Sequence, residues 1–338
     1  MPSTSNPLGQ RYLLGTIGSV LLAMATAVAQ PPLPAASAQP YPSKPVHIIV
    51  PFPPGGYTDV TARIIAQSLT ERLGQPFIVD NRPGASTVIG TEAAARAQPD
   101  GYTLLLTGSS TFAVNPVLLH NLPYDPLKSF VSVGIVTRTP MVLLVHPSFP
   151  ANSVKELVAL ASASPGKYAY GSFGAGTISH FAGEAFAAAT GARMLHVPYK
   201  GSAPLMNDLV GGQVPISFDT LVVAAPQMRS GKVKALAVLT KERTRLFPQL
   251  PTVAESGYPG FDLGTWIALS SAAGTPEAVI QKLREEVTTI VSQRDVIARF
   301  EALGIEGVKP TAEEFARNVQ TDLQRFAKIA RDADIKGE

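Results

Sequence analysis

Val46-His47-Ile48-Ile49-Val50 runs directly into Pro51-Phe52-Pro53-Pro54-Gly55-Gly56-Tyr57-Thr58-Asp59. Five almost wholly apolar residues bounded by proline suit a parallel strand covered on both faces. A helix is expected beyond the glycines. Thr58 would cap it, Asp59 sits in its first turn, Val60, Ile64, Ile65, Leu69 and Leu73 give an apolar face, and Gly74 stops it. The same strand–loop–helix unit recurs at 77–79 and 102–107. After a change of texture near residue 138 it recurs at 142–145, 168–170, 194–197 and 216–218. Such alternation implies an α/β fold.

Ser153 with Glu156, and Thr311 with Glu314, read as capping boxes, and Thr275-Pro276 puts proline at a first helical position. Residues 276–293 and 312–333 are then two closing helices. The Pro- and Gly-rich stretch 240–262 resembles a return crossing between domains. The expected division is 39–137 plus 264–338 for the first domain and 138–263 for the second.

Composition limits what such a chain does. Of 338 residues, 45% are apolar and only 16% charged, below the usual share of about 25%, so disorder and coiled coil are poor fits. The formal charge is +3 without a basic block, which leaves no phosphate-tracking surface for nucleic acid. The absence of cysteine excludes disulfides, thiolate metal sites and a cysteine nucleophile.

The amino terminus reads as a secretory signal peptide. A polar start with Arg11 precedes the charge-free run from Tyr12 to Ala29, and Ala27-Val28-Ala29 and Ala36-Ser37-Ala38 are two A-x-A sites. Cleavage after Ala38 is favoured over Ala29, giving a leader of 1–38. An uncleaved membrane anchor is the alternative reading. Export as a free soluble protein points to the periplasm.

Two loops invite an anion. In the first, Gly55 and Gly56 free main-chain amides just before a helix start, which adds about half a positive charge; a tight turn with a cap is the plainer reading. The second is Gly171-Ser172-Phe173-Gly174-Ala175-Gly176-Thr177-Ile178-Ser179-His180. Its G-x-x-G-x-G spacing is not the dinucleotide fingerprint. Loops at Asn81-Arg82-Pro83-Gly84-Ala85-Ser86 and Gly108-Ser109-Ser110-Thr111 also follow strands, and such ends share one edge of a parallel sheet.

Signals for catalysis are weak. The five histidines show no metal-ligand spacing, and no G-x-S-x-G elbow occurs. A nucleophile and base at Ser172 or Ser179 with His180 is the rival reading, an exported α/β carboxylesterase.

These stretches, with Leu122-Pro123-Tyr124-Asp125, His196-Val197-Pro198-Tyr199-Lys200-Gly201, Gly211-Gly212-Gln213-Val214, Leu250-Pro251-Thr252-Val253-Ala254-Glu255 and Ala272-Ala273-Gly274-Thr275-Pro276, resemble the solute-binding proteins of tripartite tricarboxylate transporters, the Bug family. The resemblance covers about residues 41–335. It implies a two-domain type II periplasmic binding fold with two hinge crossings and a ligand cleft between the domains. It also implies a monomer without cofactor or metal that hands a small carboxylate to membrane subunits, or reports it to a membrane sensor. Carried across by position, the ligand-binding candidates are Phe52, Gly55, Gly56, Tyr57, Thr58 and Asp59 in the first loop. Gly171, Ser172, Phe173, Gly174, Gly176, Thr177 and His180 match in the second. Asn81, Arg82, Ser109 and Asp219 are weaker. Tyr57, with Phe173 and Trp266, hints at an aromatic or longer dicarboxylate.

Overall fold

A computed structural model describes residues 41–332, 334 and 335; the expected leader and both cleavage sites lie outside them. Strands β1 (Val46–Val50), β2 (Phe77–Asn81) and β3 (Thr103–Gly108) alternate with helices α1 (Tyr57–Leu73) and α2 (Val88–Ala95). Short α3 (Asn115–Leu118) leads to the long strand β4 (Phe130–Val145). Then follow α4 (Val154–Ala163), β5 (Ala169–Ser172), α5 (Ile178–Thr190), β6 (Leu195–Pro198), α6 (Ser202–Val210), β7 (Ile216–Thr220), α7 (Leu221–Arg229) and β8 (Lys234–Val238). The chain returns through β9 (Gly264–Ala272), α8 (Glu277–Ile290), α9 (Arg294–Ala302), β10 (Glu306–Gly307) and α10 (Ala312–Asp332).

Local chemistry explains the element ends. Gly56 has extended backbone, so α1 begins at Tyr57, one residue before the expected Thr58 cap, and no side chain caps it. Gly74 takes the left-handed conformation (φ 68°) and donates its N–H to Thr70 O, closing the helix. Ser153 Oγ accepts from Glu156 N and Thr311 Oγ1 from Glu314 N, as capping serine and threonine do. Pro276 stands one position outside α8, and the closing region holds three helices where two were expected.

The strands order β2-β1-β3-β9-β4-β7-β5-β6, with β8 and β10 also paired to β4. Parallel pairing, as expected, joins β1 to β2 and β3, and β5 to β6 and β7. The centre is antiparallel, because β9 and the first half of β4 are strands that sequence periodicity did not reveal. Their mixture of Ser, Thr and Gly with apolar residues hides them, although β9 is buried along almost its whole length.

β4 belongs to both halves of the sheet. Phe130 to Pro140 pair with β9, and Met141 to Val145 pair with β7. The last partners of the first ladder are Pro140 and Gly264, so the two expected crossings, near 138 and 263, lie side by side. One core gathers Ile48, Ile65, Leu69, Leu104, Ile280 and Val287, and another Leu143, Phe181, Phe186, Ile216 and Phe218. α10 serves both sides. Its Phe315 and Val319 pack with Phe112 and Trp266, whereas Phe326 and Ala330 enter the cluster of Phe181. The last turns of α10 thus pack with the core that holds Leu143 and Phe218. Burying Phe326 contributes about 1.5–3 kcal/mol to that attachment.

Gly108 ends β3 where β9 passes very close. A Cβ there would stand 1.7 Å from the carbonyl oxygen of Trp266, a backbone atom that cannot turn away. Gly108→Ala is expected to cost about 3 kcal/mol or more, or to prevent folding. Urea unfolding followed by circular dichroism measures it.

Candidate functional site

The carboxyl ends of β1, β3, β5, β6 and β7 deliver the chain to one cavity of about 480 Å³, counting the part open to solvent. That is the position where open α/β sheets bind ligands. Four helices begin at its wall. Gly56 and Tyr57 open α1, Ile178 opens α5, Gly201 and Ser202 open α6, and Thr220 precedes α7. None of the four uses its N-cap side chain to satisfy its own first amides. Each terminus carries about half a positive charge. The remaining wall is Phe52, Pro53, Thr58, Gly108, Ser109, Ser110, Phe173, Thr265, Trp266 and Ile267, so among the described residues no Lys, Arg, His, Asp or Glu lines the cavity.

The first loop is clamped from behind. Asp59 accepts Gly55 N at 2.9 Å, Arg63 Nε at 3.0 Å, Arg63 Nη2 at 2.8 Å and Asn81 Nδ2 at 3.0 Å. Asn81 Nδ2 also reaches the Phe52 carbonyl at 3.0 Å. Burial pushes the Asp59 carboxyl up, but Arg63, Gly55 and Asn81 together outweigh it and hold the group below the usual range. Gly55, Asp59 and Asn81 therefore hold the loop's shape and stand off the wall, while Phe52, Gly56, Tyr57 and Thr58 line it. Arg82 pairs with Asp80 at the exposed edge.

The second loop also spends its side chains on itself. Ser172 Oγ meets His196 Nε2 at 2.7 Å and accepts from Gly174 N, and Thr177 Oγ1 donates to Gly174 O at 2.6 Å. Ser179 accepts from Phe173 N and donates to Phe218 O, and His180 Nδ1 accepts from Gly176 N at 3.3 Å. The rings of His180 and His196 stack 4.0 Å apart, and burial followed by that neighbour pushes His196 down to about 4. Of this loop's candidates only Phe173 lines the cavity, joined by Ile178; Gly171, Ser172, Gly174, Gly176, Thr177 and His180 form the support behind it. Ser172 is fully buried, its imidazole partner is His196 instead of the expected His180, and no carboxylate is bonded to His196 among the described residues.

Aromatic residues divide by role. Tyr57 is anchored through its hydroxyl to Thr137 at 2.8 Å, and Trp266 donates to Asp322 at 2.7 Å and stacks on Phe112. Phe52 and Phe173, one from each loop, meet edge to face at 6.3 Å. Residues not anticipated at the wall include Ser110, Ser202, Thr220 and Thr265. Ser202 opens α6 just after Gly201, and Thr220 ends β7 and immediately precedes α7.

Asp219 lies behind that wall, fully buried. Its Oδ1 accepts from Ser202 Oγ at 2.9 Å and Thr220 N at 2.7 Å, and its Oδ2 has no partner. Burial pushes the carboxyl up to about 7 against the lowering effect of those bonds. Between about pH 4 and 7 the unfolded chain has released this proton while the folded chain keeps it, so folding is progressively disfavoured as pH rises through that window. Asp219→Asn cannot ionise. Its stability relative to the parent is expected to rise from pH 4 to pH 7.5 and then level off, measured as unfolding midpoints in urea across that range.

A family model described as the tripartite tricarboxylate transporter family receptor matches residues 61–335. Protein BugT of Bordetella pertussis is 39% identical over 301 residues, 89% of this chain and 92% of that one. A structure of Rpa4515 from R. palustris with adipate is 33% identical, with a TM-score of 0.86 over 88% of this chain and 100% of the other. MatC from Rhodopseudomonas palustris with bound malate is 32% identical, with a TM-score of 0.82 over 86% and 99%. The fold is that of periplasmic binding proteins. With that match across most of its length, the chain belongs to the tripartite tricarboxylate transporter receptor family.

Proposed function

We propose that this receptor captures a small carboxylate from the periplasm, after removal of its leader, and hands it to the membrane subunits of a tripartite transporter. The observation that carries the reading is the meeting of four helix starts at a wall without a charged side chain. Peptide amides are donors only, so they suit an anion. A free ammonium finds no carboxylate on the wall, which argues for a plain mono- or dicarboxylate over an amino acid. Phe52, Phe173, Tyr57 and Trp266 supply apolar surface for a carbon chain or ring, in keeping with the adipate and malate held by the two relatives.

The energetics are sufficient. A micromolar dissociation constant needs roughly 8 kcal/mol. Hydrogen bonds to a charged group contribute about 1.5–3 kcal/mol each and a helix terminus about 0.3–1 kcal/mol, so four or five amides suffice. The segments 39–137 with 264–338, and 138–263, act as two lobes that close about the paired crossings at Pro140 and Gly264. No turnover is assigned to the site: the Ser172 hydroxyl is buried and shared between His196 and Gly174.

Malate, adipate and aromatic dicarboxylates are expected to raise the melting temperature, and their diamides are not. At 100 times its dissociation constant a ligand adds about 2.7 kcal/mol. Gly56 has an ordinary φ, and a Cβ there would stand 3.7 Å from Ser202 Oγ, inside the cradle. Gly56→Val is therefore expected to weaken binding roughly tenfold or more (about 1.4 kcal/mol) without lowering the melting temperature of the free protein. Titration calorimetry decides: undiminished affinity in that variant refutes the amide cradle.

A further inference from the structure

Residues 84–87 form the most unusual backbone among the described residues. Gly84, Ala85, Ser86 and Thr87 have φ of 134°, 44°, 52° and 82°, and the only other non-glycine at positive φ is Asp334. Side chains beyond glycine rarely adopt this region, so the surroundings must enforce it. They do. Asn115, fully buried, donates from Nδ2 to Ser86 O at 2.7 Å, Thr87 Oγ1 at 3.0 Å and Tyr124 Oη at 3.2 Å. Thr87 Oγ1 bonds Thr111 Oγ1, which in turn bonds Thr107.

What this enforced turn presents is one hydroxyl. Ser86 Oγ donates to the carbonyl of Ala175, in the second glycine loop, at 2.7 Å. Beside it, a Cβ on Gly176 would lie 3.2 Å from Ser86 Cβ. A second tie runs the same way, from Ile178 N at the start of α5 to Ser110 Oγ at 3.1 Å.

We propose that Ser86 is the positioning residue of a latch, its hydroxyl fastening the 174–176 loop, behind the cavity wall, to the turn between β2 and α2. The latch deepens the capture reading above and rests on it for its purpose: it retains whatever the cradle holds by slowing reopening. A turn that existed only to connect β2 to α2 would be served better by glycine at position 86, which meets φ of 52° without strain. A hydroxyl there trades local comfort for the contact with the 174–176 loop.

The test needs no ligand, and the cysteine-free chain makes it clean. Gly56 has an ordinary φ, and a Cβ there would lie 3.8 Å from Ser202 Cβ, within disulfide reach while the two loops stand as they do here. Gly56→Cys with Ser202→Cys is the reporter, read as disulfide formation on non-reducing gels in the leader-free protein. Adding Ser86→Ala or Ser86→Gly is expected to slow cross-linking roughly fivefold, the factor one neutral hydrogen bond is worth. Each Ser86 variant without the reporter is expected to show a larger radius of gyration by small-angle scattering, which decides the matter should the cysteine pair not fold. Equal cross-linking with and without the Ser86 hydroxyl, equal radii, or no cross-link in the parent pair would overturn the latch. A protein that binds none of malate, adipate and aromatic dicarboxylates, yet cross-links more slowly without the hydroxyl, would refute the carboxylate reading and leave the latch standing.

Discussion

The antiparallel ladder between β4 and β9 is the joint from which both walls of the cavity hang. β4 runs unbroken from Phe130 to Val145, pairing first with β9 and then with β7. Its register places Thr265 and Trp266 at the cavity, and a slip of one residue would exchange the faces on which their side chains stand. The ladder stops at Pro140 opposite Gly264, where proline has no N–H to donate and glycine no side chain to pack.

Around that joint the chain arranges charge by geometry instead of by cations. Helix starts face inward at the wall, and their partners in the second row are neutral hydroxyls or a carboxyl whose proton is held by burial. Ionised Asp219 would place a negative charge against the same α6 and α7 termini that face the cavity, so its burial and the electrostatics of the wall are one design. Asp59 shows the opposite solution. With Arg63 and Asn81 as partners it stays charged, and that charge is consumed in holding Gly55.

Much of this was legible in the sequence, and the gaps have physical causes. Gly55-Gly56 and the 171–177 loop stood out because glycine marks backbone freedom, and both loops do meet at the cavity. The direction of their side chains did not show. A loop without a ladder must satisfy its own polar groups, so Ser172, Thr177, Ser179 and His180 turn inward. Thr220 went unnoticed because a strand passes into a helix there without the usual punctuation, and Thr265 because β9 exists only through pairing with residues more than a hundred positions away. The run of positive φ at 85–87 could not be read at all, since three ordinary residues adopt it only under the grip of Asn115.

One feature of the wall has a practical side. Trp266 is the chain's single tryptophan, 3% exposed, bonded to Asp322 of α10 and seated on β9 beside the joint. The residue lines both the cavity and a second groove, the one that also holds Arg138, Asp322 and Arg325. All indole emission therefore originates from one spot, at the cavity wall beside the joint. The molecule carries a built-in optical gauge, readable without dye or label.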